Sequence, residues 1–395
     1  MHSGIQEYLD EFKWLAKHYI DKVRENPNWK LADIMQAVQN DFALYISKSQ
    51  AYRARKKAIE LLDGSHQKQF NRVWDYSVVL LKTNPGSTMQ VLTETLPMPG
   101  ALPIFRRMYV CLEACKRGFV EACRHIIGID ACHLKGPYGM QLMAAVGRDP
   151  NEQMFPIAIA IVEGETRESW EWFLEMLFSD IGSPSSRKWT FISDQQKGLV
   201  PALTAIAPTA EHRFCVRHLY GNLAKRYKGK QLKDAMWDIA KSSTESKWNS
   251  EMNKIKEISK GAYAFLMELN PQSWTWYGFS NWCKSDYLLN NMCETFNGYI
   301  LEARDKPIIT LVEIVRQALM TRMTEKRERM MGYRGPICPK IQGKVEKLKS
   351  QSRKCTSHWA GGGLFEVRCH PDTFVVNLEA RTCSCRKWDL TWDTM

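Results

Sequence analysis

Three carboxylates in three different local settings are the residues of this chain best placed to do chemistry. Asp130 ends the apolar run His-Ile-Ile-Gly-Ile-Asp, and Asp194 ends a second run, Trp-Thr-Phe-Ile-Ser-Asp. Glu294 lies in Asn-Asn-Met-Cys-Glu-Thr-Phe-Asn, a pattern typical of the start of a helix. Two aspartates at the ends of neighbouring strands and a third carboxylate on a helix can hold two Mg²⁺ or Mn²⁺ ions. Such a pair of ions clamps the attacking and leaving oxygens of a phosphodiester.

Each of these carboxylates has an ordinary explanation when it is taken alone. An Asp after a strand is usually a turn former or a helix N-cap. A single Glu in the first turn of a helix is usually a solvated residue. The order strand–Asp, strand–Asp, helix–Glu on a basic chain favours phosphoryl transfer on nucleic acid.

Composition limits the class of protein and the kind of partner to be expected. The chain has 395 residues, 44% of them hydrophobic, so two or three domains are expected. Lys and Arg number 55 against 43 Asp and Glu, and this excess favours a polyanionic partner, although a basic protein without one has the same balance. With no signal peptide and no apolar stretch near 20 residues, we expect a soluble intracellular chain, free of membrane, whose 12 Cys are reduced.

The N-terminal region, residues 1–90, is predicted to be helical. Residues 31–42 have helical apolar spacing, and Ser47 is a suitable N-cap for a second helix over 48–62. Two helices joined by a short turn resemble a DNA-binding helix-turn-helix. A plain helical hairpin with a solvated basic face fits the pattern equally well. The candidate DNA-binding residues on the second helix are Arg53, Arg55, Lys56 and Lys57.

The middle of the chain predicts an α/β fold, a mixed sheet with helices on its faces. Its predicted strands are 125–131, 141–147, 155–162, 189–193 and 211–215. Its predicted helices are 106–123, 167–180, 196–206 and 217–228. An all-helical stretch over 230–285 is interpreted as an insertion, a further helix is predicted over 306–332, and the tail alternates like two strands of a hairpin at 365–368 and 373–378.

Several short motifs, taken in order, resemble those of plant Mutator-like element (MULE/MuDR) transposases. They are Gly-Ile-Asp-Ala-Cys-His-Leu-Lys-Gly (128–136), Ile-Ser-Asp-Gln-Gln-Lys-Gly-Leu (192–199), Phe-Cys-Val-Arg-His-Leu (214–219) and Asn-Asn-Met-Cys-Glu-Thr-Phe-Asn (290–297). Each motif is weak alone, and their shared order carries the resemblance.

The resemblance implies a ribonuclease-H-like DDE core interrupted by a helical insertion. The core would occupy 104–228 and 286–335, and the insertion 229–285. Asp130, Asp194 and Glu294 match the catalytic triad that binds two Mg²⁺ or Mn²⁺ ions. The resemblance further implies a nuclear protein that acts on the terminal repeats of its element and on target DNA, as a homo-oligomer in the active complex.

Two cysteine motifs bear on zinc. Cys215 and His218 match a Cys-x-x-His motif of the family; they could bind Zn²⁺, but two ligands do not complete a tetrahedral site, and structural packing near the active site explains them equally well. Residues 355–395 resemble a SWIM zinc finger, with Cys383 and Cys385 but without the second ligand pair. This incomplete finger is not expected to hold Zn²⁺ alone.

Three functional hypotheses follow. The leading one is a DNA transposase that cleaves strands and transfers them with two metal ions. The alternative is a domesticated transposase that binds DNA as a transcriptional regulator without cleaving it. The third is an inactive relic.

Overall fold

The computed structural model describes residues 13–391, except residues 28, 65, 96, 99 and 102. The first twelve residues of the predicted region 1–90 and the last four of the region 355–395 therefore lie outside the described residues. The chain divides into two compact units. One contains the residues up to Val79 together with Glu302–Met320, and the other contains Leu80–Leu301 together with the chain from Thr321 onward.

The described part of the first unit is helical, as predicted, but residues 88–90, at the end of the predicted helical region 1–90, form the start of a strand. Its helices are α1 (Ile20–Glu25), α2 (Leu31–Phe42), α3 (Lys48–Asp63), α4 (His66–Phe70) and the start of α5 (Val73–Thr83). Ser47 caps α3: its hydroxyl accepts from the backbone N–H of Gln50, whose side chain accepts from the backbone of Ser47. Helices α2 and α3 bury Ile34, Val38 and Ala51 between them. The two helices predicted over 31–42 and 48–62 are thus confirmed.

The second unit is built on a seven-stranded mixed sheet, which confirms the predicted α/β class. Its strands are β1 (Thr88–Glu94), β2 (Ile104–Cys111), β3 (Ile126–His133), β4 (Gln141–Arg148), β5 (Met154–Val162), β6 (Thr190–Ser193) and β7 (Glu211–Phe214). Their order is β1-β2-β5-β4-β3-β6-β7. Strand β6 pairs parallel with both β3 and β7, and the other pairs are antiparallel.

Helices cover this sheet and bury its core. They are α6 (Glu113–Ala122), α7 (Arg167–Ile181), α8 (Pro184–Arg187), α9 (Leu199–Ile206) and α10 (Val216–Ala224). Helix α7 carries Trp170, Phe173, Leu174 and Leu177 on one face, and all four side chains are fully buried against the sheet residues. Because residues three and four apart lie on one face of a helix, this spacing fixes which side of α7 meets the sheet.

The helix predicted over 106–123 is wrong in its first half, where the chain forms β2. Residues 107–111 of this strand are all buried, so the run lacks the alternation that marks a half-exposed strand. A short continuous apolar run of this kind does not distinguish a buried strand from a buried helix. The helix begins only at Glu113.

The stretch 230–285 is helical only as far as Met267, apart from one short 3-10 turn. It forms α11 (Lys230–Ala240), α12 (Glu245–Ile258) and α13 (Lys260–Met267). The remainder packs as irregular chain around Trp274 and Phe279, and its carbonyls serve as acceptors for other elements. The buried Arg213 guanidinium, for example, donates to the Ser285 carbonyl at 2.6 Å. The all-helical prediction is wrong for residues 274–285.

The chain then forms α14 (Asn291–Tyr299), α15 (Ile308–Met331) and α16 (Pro339–Ser352). The tail is a four-stranded antiparallel sheet of β8 (Thr356–Gly361), β9 (Leu364–Cys369), β10 (Asp372–Asn377) and β11 (Thr382–Cys383), followed by α17 (Lys387–Leu390). The predicted hairpin is its central pair. The β8–β9 pairing brings Cys355 and Cys369 together as a disulfide, so the expectation of reduced thiols is wrong for this pair. Within the part of the chain described here, no helix is long and apolar enough to span a membrane.

Candidate active site

Asp130 and Asp194 lie on adjacent parallel strands at the same level of the sheet. The register pairs Gly128 of β3 with Ile192 of β6, so two residues further along each strand the aspartates are neighbours. Because side chains alternate between faces with a period of two, both aspartates project to the same side. Asp130 lies within β3 rather than at its end, whereas Asp194 directly follows β6. The structure therefore brings together two of the three predicted carboxylates.

Ionising both aspartates of this site is unfavourable. Burial and the negative charge of Asp194 raise the pKa of Asp130 to about 6. The backbone N–H of Ala131, the charge of His218 and a hydrogen bond from Asn297 partly offset this rise. The Asn297 amide Nδ2 donates to the Asp130 carboxylate at 2.9 Å. A pair of like charges kept close together is an arrangement that a cation would stabilise.

Helix α14 is seated directly on the backbone of β3, and this contact requires a glycine. A Cβ at Gly128 would lie 2.3 Å from the Asn290 Oδ1 atom and 2.8 Å from the Met292 side chain. Asn290 also donates through Nδ2 to the Ile129 carbonyl at 3.0 Å. These contacts place the helix that carries Asn297 and Glu294 next to Asp130.

Glu294 lies in the first turn of α14, as predicted, but its carboxylate is engaged elsewhere. It forms an ion pair with Arg217 of α10. The Glu294 side chain is 36% exposed and the Arg217 side chain 53% exposed, so this pair is open to solvent. Among the described residues, no group of three or more His, Cys, Asp or Glu side chains is arranged to hold a metal ion. The catalytic role of Glu294 stays a prediction.

Cys215 and His218 form a hydrogen-bonded pair at the start of α10. Cys215 is fully buried; burial opposes its thiolate, but hydrogen bonds from His218 and the Asn290 backbone N–H lower the pKa of the thiol. The hydrogen bond to Cys215 raises the pKa of His218 to about 9, against the effect of burial, and the charges of Asp194 and Asp130 add to this rise. His218 therefore carries a positive charge beside the two aspartates at neutral pH.

A carboxylate that the sequence reasoning missed, Glu165, belongs to the same electrostatic cluster. It lies in the loop between β5 and α7. Burial and the charges of Asp194 and Asp130 raise the pKa of Glu165 to about 7. No local sequence signal identifies Glu165, because it stands three residues beyond the end of β5, whereas Asp194 directly follows its strand. Asn297, the last residue of the 290–297 motif, was likewise not assigned a role.

The candidate zinc ligands lie in two places. Cys215 and His218 stand beside the aspartates, whereas Cys383 and Cys385 lie in the tail with their sulfurs 3.0 Å apart. The zinc roles considered for the two pairs stay predictions.

The candidate DNA-binding residues of α3 are partly engaged within the first unit. The Arg55 guanidinium donates to the Trp29 carbonyl at 2.8 Å. Lys57 pairs with Glu60 at 2.9 Å. Arg53 and Lys56 are exposed on the same helix. The proposed role of this basic face in DNA binding stays a prediction.

The stretch that contains the two aspartates matches a known class of protein. Residues 126–222 match the family described as the MULE transposase domain. The match runs from the first residue of β3 through Asp130, Asp194, Cys215 and His218, which confirms the family resemblance drawn from the motifs. Glu294 lies beyond the matched residues.

One protein of similar sequence is Protein FAR1-RELATED SEQUENCE 6 of Arabidopsis thaliana. The two sequences are 24% identical over 143 residues. The alignment covers 36% of this chain and 19% of the relative, so the matched stretch spans about a fifth of that protein's length.

Proposed function

We propose that this chain is a DNA transposase of the Mutator-like class, which cleaves and transfers DNA strands by metal-dependent phosphoryl transfer on a ribonuclease-H-like core. The observation that carries the proposal is the Asp130–Asp194 pair. These aspartates lie level on adjacent parallel strands, inside the stretch that matches the MULE transposase domain. The two ionised carboxylates repel each other, and a bound cation would offset this repulsion.

The side chains at this edge fit a hard divalent cation. The donors are carboxylate and amide oxygens, which Mg²⁺ and Mn²⁺ prefer. The Asn297 Oδ1 atom is buried and has no hydrogen-bond partner, although Nδ2 of the same amide holds Asp130. A buried oxygen without a donor is unfavourable unless something else satisfies it. The carboxylates would have to turn toward a shared ion to bind it.

The side chains at this sheet edge would each have a role in the reaction. Asp130 and Asp194 would hold the metal, which when bound lowers the pKa of an attacking water and stabilises charge on the phosphoryl oxygens. Asn297 fixes the orientation of Asp130 through its hydrogen bond. His218, held by Cys215, keeps a positive charge at the edge where a phosphate would approach. In this mechanism the Cys-x-x-His motif orients a cationic side chain.

A strongly basic segment in the same unit supports DNA as the substrate. Residues 322–354 contain eleven Lys or Arg and three Asp or Glu. On α15, burial and the charges of Arg322 and Arg329 lower the pKa of Lys326, so these cations crowd one face of the helix. DNA phosphates would relieve that repulsion and release counterions.

A second function, DNA binding without cleavage, is favoured by the placement of Glu294. Its ion pair with Arg217 leaves the predicted third ligand engaged. A domesticated regulator would keep the fold and the basic surfaces while losing the reaction. An inactive relic would lose both.

A strand-cleavage assay tests these alternatives. The purified chain would be incubated with supercoiled plasmid and with labelled duplexes in Mn²⁺, beside Asp130→Asn and the control Asp234→Asn, which changes an exposed residue of α11. The transposase proposal expects nicking by the wild type and the control, and none by Asp130→Asn. DNA binding without nicking by any variant would favour the regulator, and neither binding nor nicking would favour the relic.

A further inference from the structure

A cavity of about 600 Å³ opens at the sheet edge opposite the one that carries the two aspartates, a volume typical of ligand sites. Its lining residues are His125, Ser186, Arg187, Lys188 and Trp282. The cavity lies where the parallel strands β3 and β6 begin. Asp130 and Asp194 each lie four residues beyond the start of their strand, so about 13 Å of strand separates them from this cavity.

Two cationic side chains of this cavity lack an acidic partner. Arg187 and Lys188 are exposed, and within the part of the chain that the structure describes neither forms an ion pair. Burial lowers the pKa of His125 and the charge of Arg187 lowers it further, although a hydrogen bond to the Arg187 backbone opposes both, so His125 is neutral at pH 7. Lys188 ends α8 with a φ of 52°, where glycine or asparagine is usual. The cavity therefore presents two positive charges that an anion would neutralise.

Trp282 lines the same cavity, and a buried hydrogen-bond network fixes the orientation of its indole. The indole Nε1 donates to the Thr190 hydroxyl at 3.0 Å. That hydroxyl donates in turn to the Glu211 carboxylate at 3.0 Å, and the carboxylate also accepts from the backbone N–H and the hydroxyl of Ser280. Thr190 is fully buried, whereas Trp282 remains 42% exposed. An exposed aromatic ring that is held in one orientation is a preformed surface for stacking.

We propose that this cavity binds a nucleoside phosphate, as a free nucleotide or as one nucleotide of a single strand. The base stacks on the Trp282 indole, since every nucleobase has an aromatic face. Arg187 and Lys188 hold the phosphate through charge-assisted hydrogen bonds. A paired duplex leaves no base face free, and an anion without a base makes no use of the indole. The site is separate from the aspartates, so its ligand binds without the metal-dependent reaction.

Binding to the full chain in EDTA tests the proposal. The probes are deoxyadenosine monophosphate and inorganic phosphate, measured by calorimetry, and a fluorescein-labelled single strand of thymidines, measured by anisotropy. We expect Trp282→Ala to weaken binding of the nucleotide or the strand by at least about fivefold, the smaller effect of losing a stacked aromatic side chain. Trp282→Phe keeps a ring and should lose less. Lys188→Gly should weaken binding by about tenfold, as for loss of a hydrogen bond to a charged group. The matched control is Lys228→Gly, which changes an exposed loop lysine outside the cavity and should bind like the wild type.

Lys188→Gly also separates binding from folding. Glycine adopts a positive φ without steric cost, so this variant should melt close to the wild-type temperature even though it binds more weakly. A probe that binds the wild type should raise the melting temperature of the wild type and of Lys228→Gly, and raise that of Lys188→Gly much less. If Lys188→Gly melts like the wild type and binds both the nucleotide and the strand as tightly as the wild type, the proposal is wrong, whatever the stability of Trp282→Ala.

The probes distinguish the two sources of the ligand. Binding of the mononucleotide that Lys188→Gly and Trp282→Ala weaken would identify a free nucleotide. If only the strand binds, and Lys188→Gly lowers the slope of log affinity against log salt by about 0.7, the ligand is a nucleotide within a strand. Inorganic phosphate that binds as tightly as the nucleotide would exclude stacking on Trp282 and overturn the proposal. Absence of binding by both the nucleotide and the strand would also overturn it, and neither result changes the expectation for nicking at the aspartates.

Discussion

Two regions of the second unit hold their carboxylates in opposite ways. Asp130 and Asp194 lie level on adjacent parallel strands, where burial and the charge of Asp194 raise the pKa of Asp130. Glu294 lies in the first turn of α14 and forms a solvent-open ion pair with Arg217. A buried pair of like charges is unfavourable until a cation binds, whereas an exposed ion pair already has its partner. A helical position that matches a motif therefore does not by itself identify a metal ligand.

The aspartate pair and the Arg217–Glu294 ion pair also differ in their effect on the stability of the protein. A rise of the Asp130 pKa from 3.8 to about 6 corresponds to about 3 kcal/mol of unfavourable interaction in the ionised state. An exposed pair such as Arg217–Glu294 contributes about 0 to 1 kcal/mol. The aspartate edge therefore lowers stability at neutral pH, as expected for residues kept for function.

The largest effect is expected from Asp194→Asn. Loss of this carboxylate should reduce Mn²⁺-dependent strand cleavage by about 10³-fold or more, the scale of removing a group that stabilises transition-state charge. The metal-free protein should become more stable at pH 7, because Asp130 then ionises without the repulsion of the Asp194 charge. This gain should shrink near pH 5, where the wild-type Asp130 takes up a proton. Cleavage assays and urea denaturation at both pH values measure the two effects, and a variant that cleaves normally would remove Asp194 from the site.

The sequence predicted the aspartates because each closes an apolar run, and parallel strands bring such ends together. It also predicted the helical turn of Glu294. It did not predict the partner of Glu294, because Arg217 lies 77 residues away and the pairing depends on how α10 meets α14. Glu165 was missed because it stands three residues beyond its strand, and only the contacts of Gln196 and Gly198 bring it to the edge.

The same reasoning explains why β2 was misread. The burial of residues 107–111 on both faces of the sheet depends on which strands and helices cover them, and a local pattern contains no such information. The capping box at Ser47, by contrast, involves residues three apart and could be predicted from the sequence directly.

The hydrogen bonds that link Asp194 to Ser193 and His212 predict that the stability of the protein falls in acid. Ser193 donates to the Asp194 carbonyl at 2.7 Å, so the His212 Nε2–H donates to the Ser193 oxygen, also at 2.7 Å. Burial lowers the pKa of His212 from 6.5 to about 4. The unfolded chain therefore binds a proton before the folded chain does, and stability falls as the pH drops from 6.5 through 4, by about 2–3 kcal/mol.

Urea denaturation of wild type and His212→Gln at pH 7 and pH 4.5 measures this contribution. The glutamine keeps a donor for Ser193 but does not titrate, so the variant should lose less stability on acidification. Equal losses in the two proteins would show that His212 is not held neutral by burial.

The contact between the loops that carry Glu165 and Asp194 predicts a smaller effect from Gly198→Ala. The added Cβ would lie 2.8 Å from the Thr166 carbonyl carbon and 2.9 Å from the Arg167 nitrogen, so the loops must separate. We expect a loss of about 1–3 kcal/mol in stability, typical of overpacking, together with weaker Mn²⁺ binding. Gly221→Ala is the control, since a Cβ there meets no atom within 4 Å on helix α10. If Gly198→Ala melts and binds Mn²⁺ like this control, the loop contact does not position the site.

The smallest effect is expected from Arg217→Gln, and it tests whether Glu294 is a metal ligand. Because the Arg217–Glu294 pair is exposed, its loss should change the free energy of unfolding by less than about 1 kcal/mol. Mn²⁺ affinity, measured without DNA, should change by less than about twofold if Glu294 is not a ligand. If Glu294 is the ligand, its release from Arg217 should raise the affinity several-fold, and Glu294→Gln in the Arg217→Gln background should abolish that gain. The double-mutant cycle isolates this coupling, because a substitution that merely disturbs α10 acts alike in both backgrounds.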